Sequence, residues 1–125
     1  MIIKMDKMIW KGYRRPLQDE NLVIYKFENE EFWANLPLFL KEVNHSPTGF
    51  EWGYNGSGPA QLAYAILRTY FLGQDYTPEA SKRLAQKHYG NFKNLFVSSW
   101  KSDEWQITSD DITSVFLGGE KVGWE

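Results

Sequence analysis

Phe50-Glu51-Trp52-Gly53-Tyr54-Asn55-Gly56-Ser57-Gly58-Pro59-Ala60-Gln61-Leu62-Ala63 reads as a strand, a turn and the start of a helix. Phe50, Trp52 and Tyr54 alternate with Glu51 and Gly53, the period-two pattern of a strand with one aromatic face. Gly53 leaves room for another backbone or a ligand to come close. Asn55 to Gly58 form a tight turn. Pro59 suits the first helical turn, because its φ is already helical and its missing N–H would have no partner there. Ser57 or Gly58 can cap. Behind them, Leu62, Ala63, Ile66, Leu67 and Tyr70 make a broad apolar stripe, widened by Ala60 and Ala65. This predicts a central helix from Pro59 to about Leu72, ended by Gly73. A glycine turn feeding a helix presents backbone N–H groups at the positive end of a dipole, and that suits an anion.

Working outward, Met8 to Arg15 reads as a first strand and Leu22 to Phe27 as a second, joined through a polar turn at Gln18–Asn21 into an antiparallel hairpin. Phe32 to Leu40 reads as a third strand or as a short helix broken by Pro37, and an extended segment leading into Leu38-Phe39-Leu40 is the favoured reading. On the C-terminal side, Thr77 caps a helix that has Pro78 in its first position. Its periodicity runs to about Ser99, either unbroken or in two pieces meeting near Gly90. Trp105 to Thr108 is a short strand or extended link. Ser109 is expected to cap a last short helix, with Asp110 and Asp111 in its first turn. Ile112, Val115, Phe116 and Leu117 would dock it, Gly118-Gly119 end it, and the tail reads as loose unless Trp124 pins it. The expected architecture is one α+β domain over residues 1–125. It has an antiparallel sheet of about three to four strands, with the central and long helices packed on one face and a short C-terminal helix.

Composition narrows the function classes. With 125 residues the chain holds one core. No cysteine is present, which excludes a disulfide framework and any cysteine nucleophile or cysteine metal ligand. A net charge of −2 gives no global attraction for nucleic acid. No apolar run reaches the roughly 18 residues of a membrane span, and the N-terminus is too short and interrupted for a signal peptide, so a cytoplasmic location is expected. Six Trp, seven Tyr and eight Phe are unusually many. They fill a core, stack on a ligand or form an interface, including one between copies of the chain.

The glycine turn fails three enzyme patterns. A nucleophile elbow needs glycines two residues either side of Ser57, where Asn55 and Pro59 stand. A dinucleotide fingerprint needs glycine where Gln61 stands, and the phosphate-loop Gly-Lys-Ser/Thr is absent. His45 precedes a Ser-Pro turn, and His88 lies on the apolar side of the long helix. Two histidines without metal-ligand spacing point away from a metal site, and a small hydrolase built on His45 is the least supported reading. Neither a cofactor nor a catalytic residue is expected. In the sharpest reading, Trp52 and Tyr54 stack a base, and the backbone from Gly56 through Ser57 and Gly58 holds an anion. Asn55 and Ser57 add hydrogen bonds, while Gln61 and Arg14 fix orientation.

The run His45 to Ala63, with Gly-Ser-Gly-Pro followed by Ala-Gln-Leu-Ala, resembles the signature of a small uncharacterised family found in phages and bacteria. Tyr13 and Arg14 in the first strand, and Tyr89 and Phe92-Lys93 in the long helix, resemble it too. The resemblance brings no activity. A phage origin would imply host takeover or anti-defence, for instance by sequestering a nucleotide signal. The expectation is therefore a non-enzymatic module for an anionic small molecule, nucleotide-like in its sharpest form. The alternative is an interaction or inhibitor module acting on a host protein.

Overall fold

The computed structural model describes residues 6–18 and 21–116. The centre of the Gln18–Asn21 turn, the side chain of Val115, Leu117, the Gly118-Gly119 stop and the tail with Trp124 lie outside the described residues. Four strands form one antiparallel sheet: β1 (Met8–Tyr13), β2 (Leu22–Phe27), β3 (Ala34–Asn35) and β4 (Glu104–Thr108), in the order β3-β2-β1-β4. The hairpin pairs Met8 with Phe27 and Tyr13 with Leu22. On its other side, β1 pairs with β4, from Ile9 opposite Thr108 to Tyr13 opposite Glu104.

Met8, Trp10 and Gly12 point into the core from β1, and Trp105 and Ile107 from β4. Gly12 sits directly opposite Trp105, whose indole occupies the space a Gly12 side chain would fill. A glycine inside a strand is unfavourable by itself. Here it lets Trp105 lie across the sheet, stacked on Trp100 at 4.4 Å and edge-on to Trp52 at 5.7 Å.

The glycine turn opens α1 (Ser57–Gly73), which is buried from Gly58 to Phe71 on every side. The sheet reaches it through Trp10, whose Nε1–H donates to Thr69 Oγ1 at 2.9 Å. Along α1 packs α2 (Pro78–Leu95), capped by Thr77, whose side-chain oxygen accepts from Ala80 N. It is continuous through Gly90, ends at Leu95 and is followed by a tight 3-10 turn, Val97–Ser99.

Two local expectations need correction. Phe50 to Tyr54 is not a strand. Gly49 (φ +133°) and Gly53 (φ +87°) turn the backbone away from a ladder, and Gly53 N–H donates instead to Val97 O at 3.0 Å. The alternation there reports burial of Phe50 and Trp52, not a pairing partner. The cap of α3 (Ser109–Asp111) is Thr108, not Ser109. Thr108 Oγ1 accepts from Asp111 N, and Asp111 Oδ2 accepts from Thr108 N, a reciprocal capping box. Ser109 Oγ is occupied elsewhere, accepting from the Met8 N–H that begins β1. A wider helical turn, Ile112–Phe116, follows α3.

Candidate functional site

The N-terminus of α1 opens on a cleft. Its cap is Gly56, extended at φ −157°, and not Ser57 or Gly58; no side chain caps it and no acid stands in its first turn. The turn bonds Ala60 N–H to Gly56 O at 3.0 Å, and Pro59 has no N–H. Among the described residues, the N–H groups of Ser57 and Gly58 are left as the helix's unpaired donors. Both residues line a cleft of about 500 Å³. Its other walls include Arg14, Arg15 and Asn21 from the β1–β2 end, Ser46, Thr48, Gly49 and Phe50 from the preceding loop, and Glu51, Tyr54 and Asp103.

Arg14 holds these walls together. Its guanidinium donates to Glu51 Oε1 at 3.0 Å, Trp52 O at 2.7 Å and Asp103 Oδ1 at 3.3 Å, and covers the Trp52 ring at 4.7 Å. Burial disfavours its charge, but the hydrogen bonds and charges of Glu51 and Asp103 outweigh that and raise its pKa. Arg14 is thus a cross-brace committed to protein partners, and Glu51 and Asp103 share its charge. Arg15 also lines the cleft and adds a second guanidinium.

The glycines answer to packing. A Cβ on Gly58 would stand 2.6 Å from Glu51 Cβ, and one on Gly56 would meet the Tyr54 ring. Tyr54 itself is 49% exposed and lies at the cleft. Of the residues expected at the site, Arg14, Tyr54, Ser57 and Gly58 come together there. Trp52 does not. It is 0% exposed, with Nε1–H donated to Ser102 O at 2.9 Å, and offers no face to a ligand. Asn55 and Gly56 stand outside the lining.

Gln61 is also withdrawn from any ligand. It is 0% exposed, and its amide is a clamp for the loop before the cleft. Oε1 accepts from His45 N (2.7 Å) and Ser46 N (3.1 Å), while Nε2 donates to Leu38 O (2.6 Å) and Val43 O (3.1 Å). Further along α1, Tyr64 O–H, one turn on, donates to Glu42 of the same loop at 2.7 Å, and Arg68, two turns on, grips Glu42 through Nε (2.9 Å) and a terminal nitrogen (3.2 Å). Burial works against the Glu42 carboxylate, but Arg68 and Tyr64 hold its pKa below the ordinary value. Burial, then Glu42, pushes the Tyr64 hydroxyl upward. His45 packs its ring on Tyr89 at 5.0 Å, with Nε2 buried.

A second chamber of about 260 Å³ adjoins the cleft and shares Arg15, Asn21, Gly49 and Phe50 with it. Its remaining walls are Leu22, Val23, Asn35, Leu36 and Leu38. Sequence reading missed this chamber, as it missed Asn21 and Asp103 at the cleft. Asp103 is 89 residues from the Arg14 that holds it, and no local pattern announces such a pair. Among the described residues, no group of three His, Cys, Asp or Glu is placed to hold a metal ion, and no helix is long and apolar enough to cross a membrane.

Residues 10–118 match the model of a family of unknown function (DUF6166), and the chain belongs to that family. No curated protein and no solved structure matches it.

Proposed function

We propose that this protein is a non-enzymatic binding module that holds an anionic small molecule in the cleft at the start of α1. The observation that carries the reading is the cleft itself. About 500 Å³ of open space is lined by two helix-start residues whose N–H groups meet no acceptor among the described residues, by Arg15, and by the hydroxyl-bearing Thr48 and Ser57. An anion there meets donors and the positive end of a 17-residue helix. The volume lies in the range of small-molecule sites. An interface built from exposed tryptophans has less support, because the five tryptophans among the described residues are all buried or half-buried.

The test is a thermal-shift titration with inorganic pyrophosphate. A ligand at about 100 times its dissociation constant adds roughly 2.7 kcal/mol, several degrees for a domain this size. The discriminating variant is Ser57→Asp. Ser57 is exposed at the first helical position, where an acid favours the helix, so the apo protein keeps or gains stability while the added charge repels the anion. Pyrophosphate should shift the parent and not the variant. No shift in either, or equal shifts, rejects the anion site.

A further inference from the structure

We propose that the two chambers together accept a mononucleotide, with its phosphate at the start of α1 and its base in the second chamber, an assignment that rests on the anion reading of the first. The chambers share four wall residues and form one groove. An anion confined to the first would leave the second unfilled.

The second chamber has two kinds of wall. Leu22, Leu36, Leu38 and Phe50 are apolar, while Asn21 and Asn35 carry amides. The amides retain hydrogen-bonding capacity. Asn21 Nδ2 donates once, to Phe50 O at 3.0 Å, and its Oδ1 accepts nothing among the described residues. The Asn35 side chain makes no hydrogen bond among them. An acyl chain would desolvate both amides and Arg15 with nothing in return. A second phosphate or a sugar would leave the leucines and Phe50 without an apolar partner. A nucleobase fits both walls: its ring faces pack on apolar side chains, and its edge sets a donor beside an acceptor, the pattern an Asn amide matches bidentately. Asn35 sits on the edge strand β3 and is exposed, so the base can enter from the sheet's open edge.

The experiment measures binding of the four ribonucleoside monophosphates, ribose 5-phosphate and pyrophosphate to the full chain by calorimetry. At least one nucleotide should bind about fivefold or more tighter than ribose 5-phosphate, the lower end of what one bidentate amide–base pair supplies. Asn35→Ala should reduce that ratio toward one and leave ribose 5-phosphate unchanged. As a second readout on the parent protein, amide NMR shifts at Asn35 and Leu38 should move with the nucleotide and not with ribose 5-phosphate. Equal affinities with no shift at Asn35 overturn the base chamber and leave the anion site standing. Failure of pyrophosphate and every nucleotide to bind overturns both.

Discussion

At the scale of single residues, the positions that drew attention in the sequence are special, but mostly for internal reasons. Arg14, Trp52, Gly58 and Gln61 were expected to meet a ligand; three of them are occupied by their own protein. Glutamine carries equal donor and acceptor capacity, and nothing local shows whether a ligand or a loop will use it. Here it closes four hydrogen bonds to the 38–46 loop. Gln61→Met keeps the volume and removes the bonds, leaving buried backbone groups unpaired at about 1–3 kcal/mol each. Urea unfolding should show a loss of at least about 3 kcal/mol. A loss under about 1 kcal/mol would mean that water replaces the clamp. Gly58→Ala places a carbon 2.6 Å from Glu51 Cβ, an overpacking that costs about 1–3 kcal/mol. A bulky residue at Gly58 therefore damages packing and binding together, and Ser57→Asp is the cleaner probe of the site.

At the scale of elements, the helices were legible and one strand was not. The stripe from Leu62 to Tyr70 and the Thr77-Pro78 start announce α1 and α2, because helix-forming signals are local in the chain. Strands need partners, and pairing is not written locally. Phe50 and Trp52 alternate like a strand, yet the glycines at 49 and 53 bend the chain out of register with any neighbour. The segment Trp105–Thr108, read as a short strand or extended link, is the fourth strand at Glu104–Thr108, and Trp105 fits there only because Gly12 stands opposite. Neither residue predicts the other from about ninety positions away. Thr108 shows the same limit on a small scale: Ser109 is by type the better cap, and the Met8 N–H takes its hydroxyl and leaves the role to Thr108. Thr108→Ala should cost about 1 kcal/mol in urea unfolding, the usual value of a lost cap. Asp111→Ala should cost a loss of its own, because each side chain bonds the other's backbone. No loss of stability in Asp111→Ala would show that the box is not reciprocal in solution.

At the scale of the whole molecule, one charged cluster ties the cleft's approach loop to the central helix and sets how stability responds to pH. Glu42 is held below its ordinary value of 4.5. A carboxylate with a depressed folded pKa contributes stability above its unfolded pKa and loses it as pH falls through the folded one. Tyr64, raised by burial and Glu42, and Tyr25, raised by burial and Glu30, behave in the opposite sense. Their contribution is intact below an unfolded pKa of 10.0 and is lost as pH rises toward the folded values. Stability measured by urea unfolding should therefore be level across the neutral range, fall in acid below about pH 4.5 and fall again in alkali above about pH 10. Glu42→Gln should flatten the acid limb and lower the plateau, since Arg68 would keep its buried charge without a counter-ion. Tyr64→Phe should reduce the alkaline limb and leave the acid limb in place. An acid limb unchanged in Glu42→Gln would assign acid sensitivity to other carboxylates. The Arg68–Glu42 pair would then be a structural tie without a titration role, and the loop that Gln61 and Arg68 anchor beside the cleft would keep its position through the same pH range.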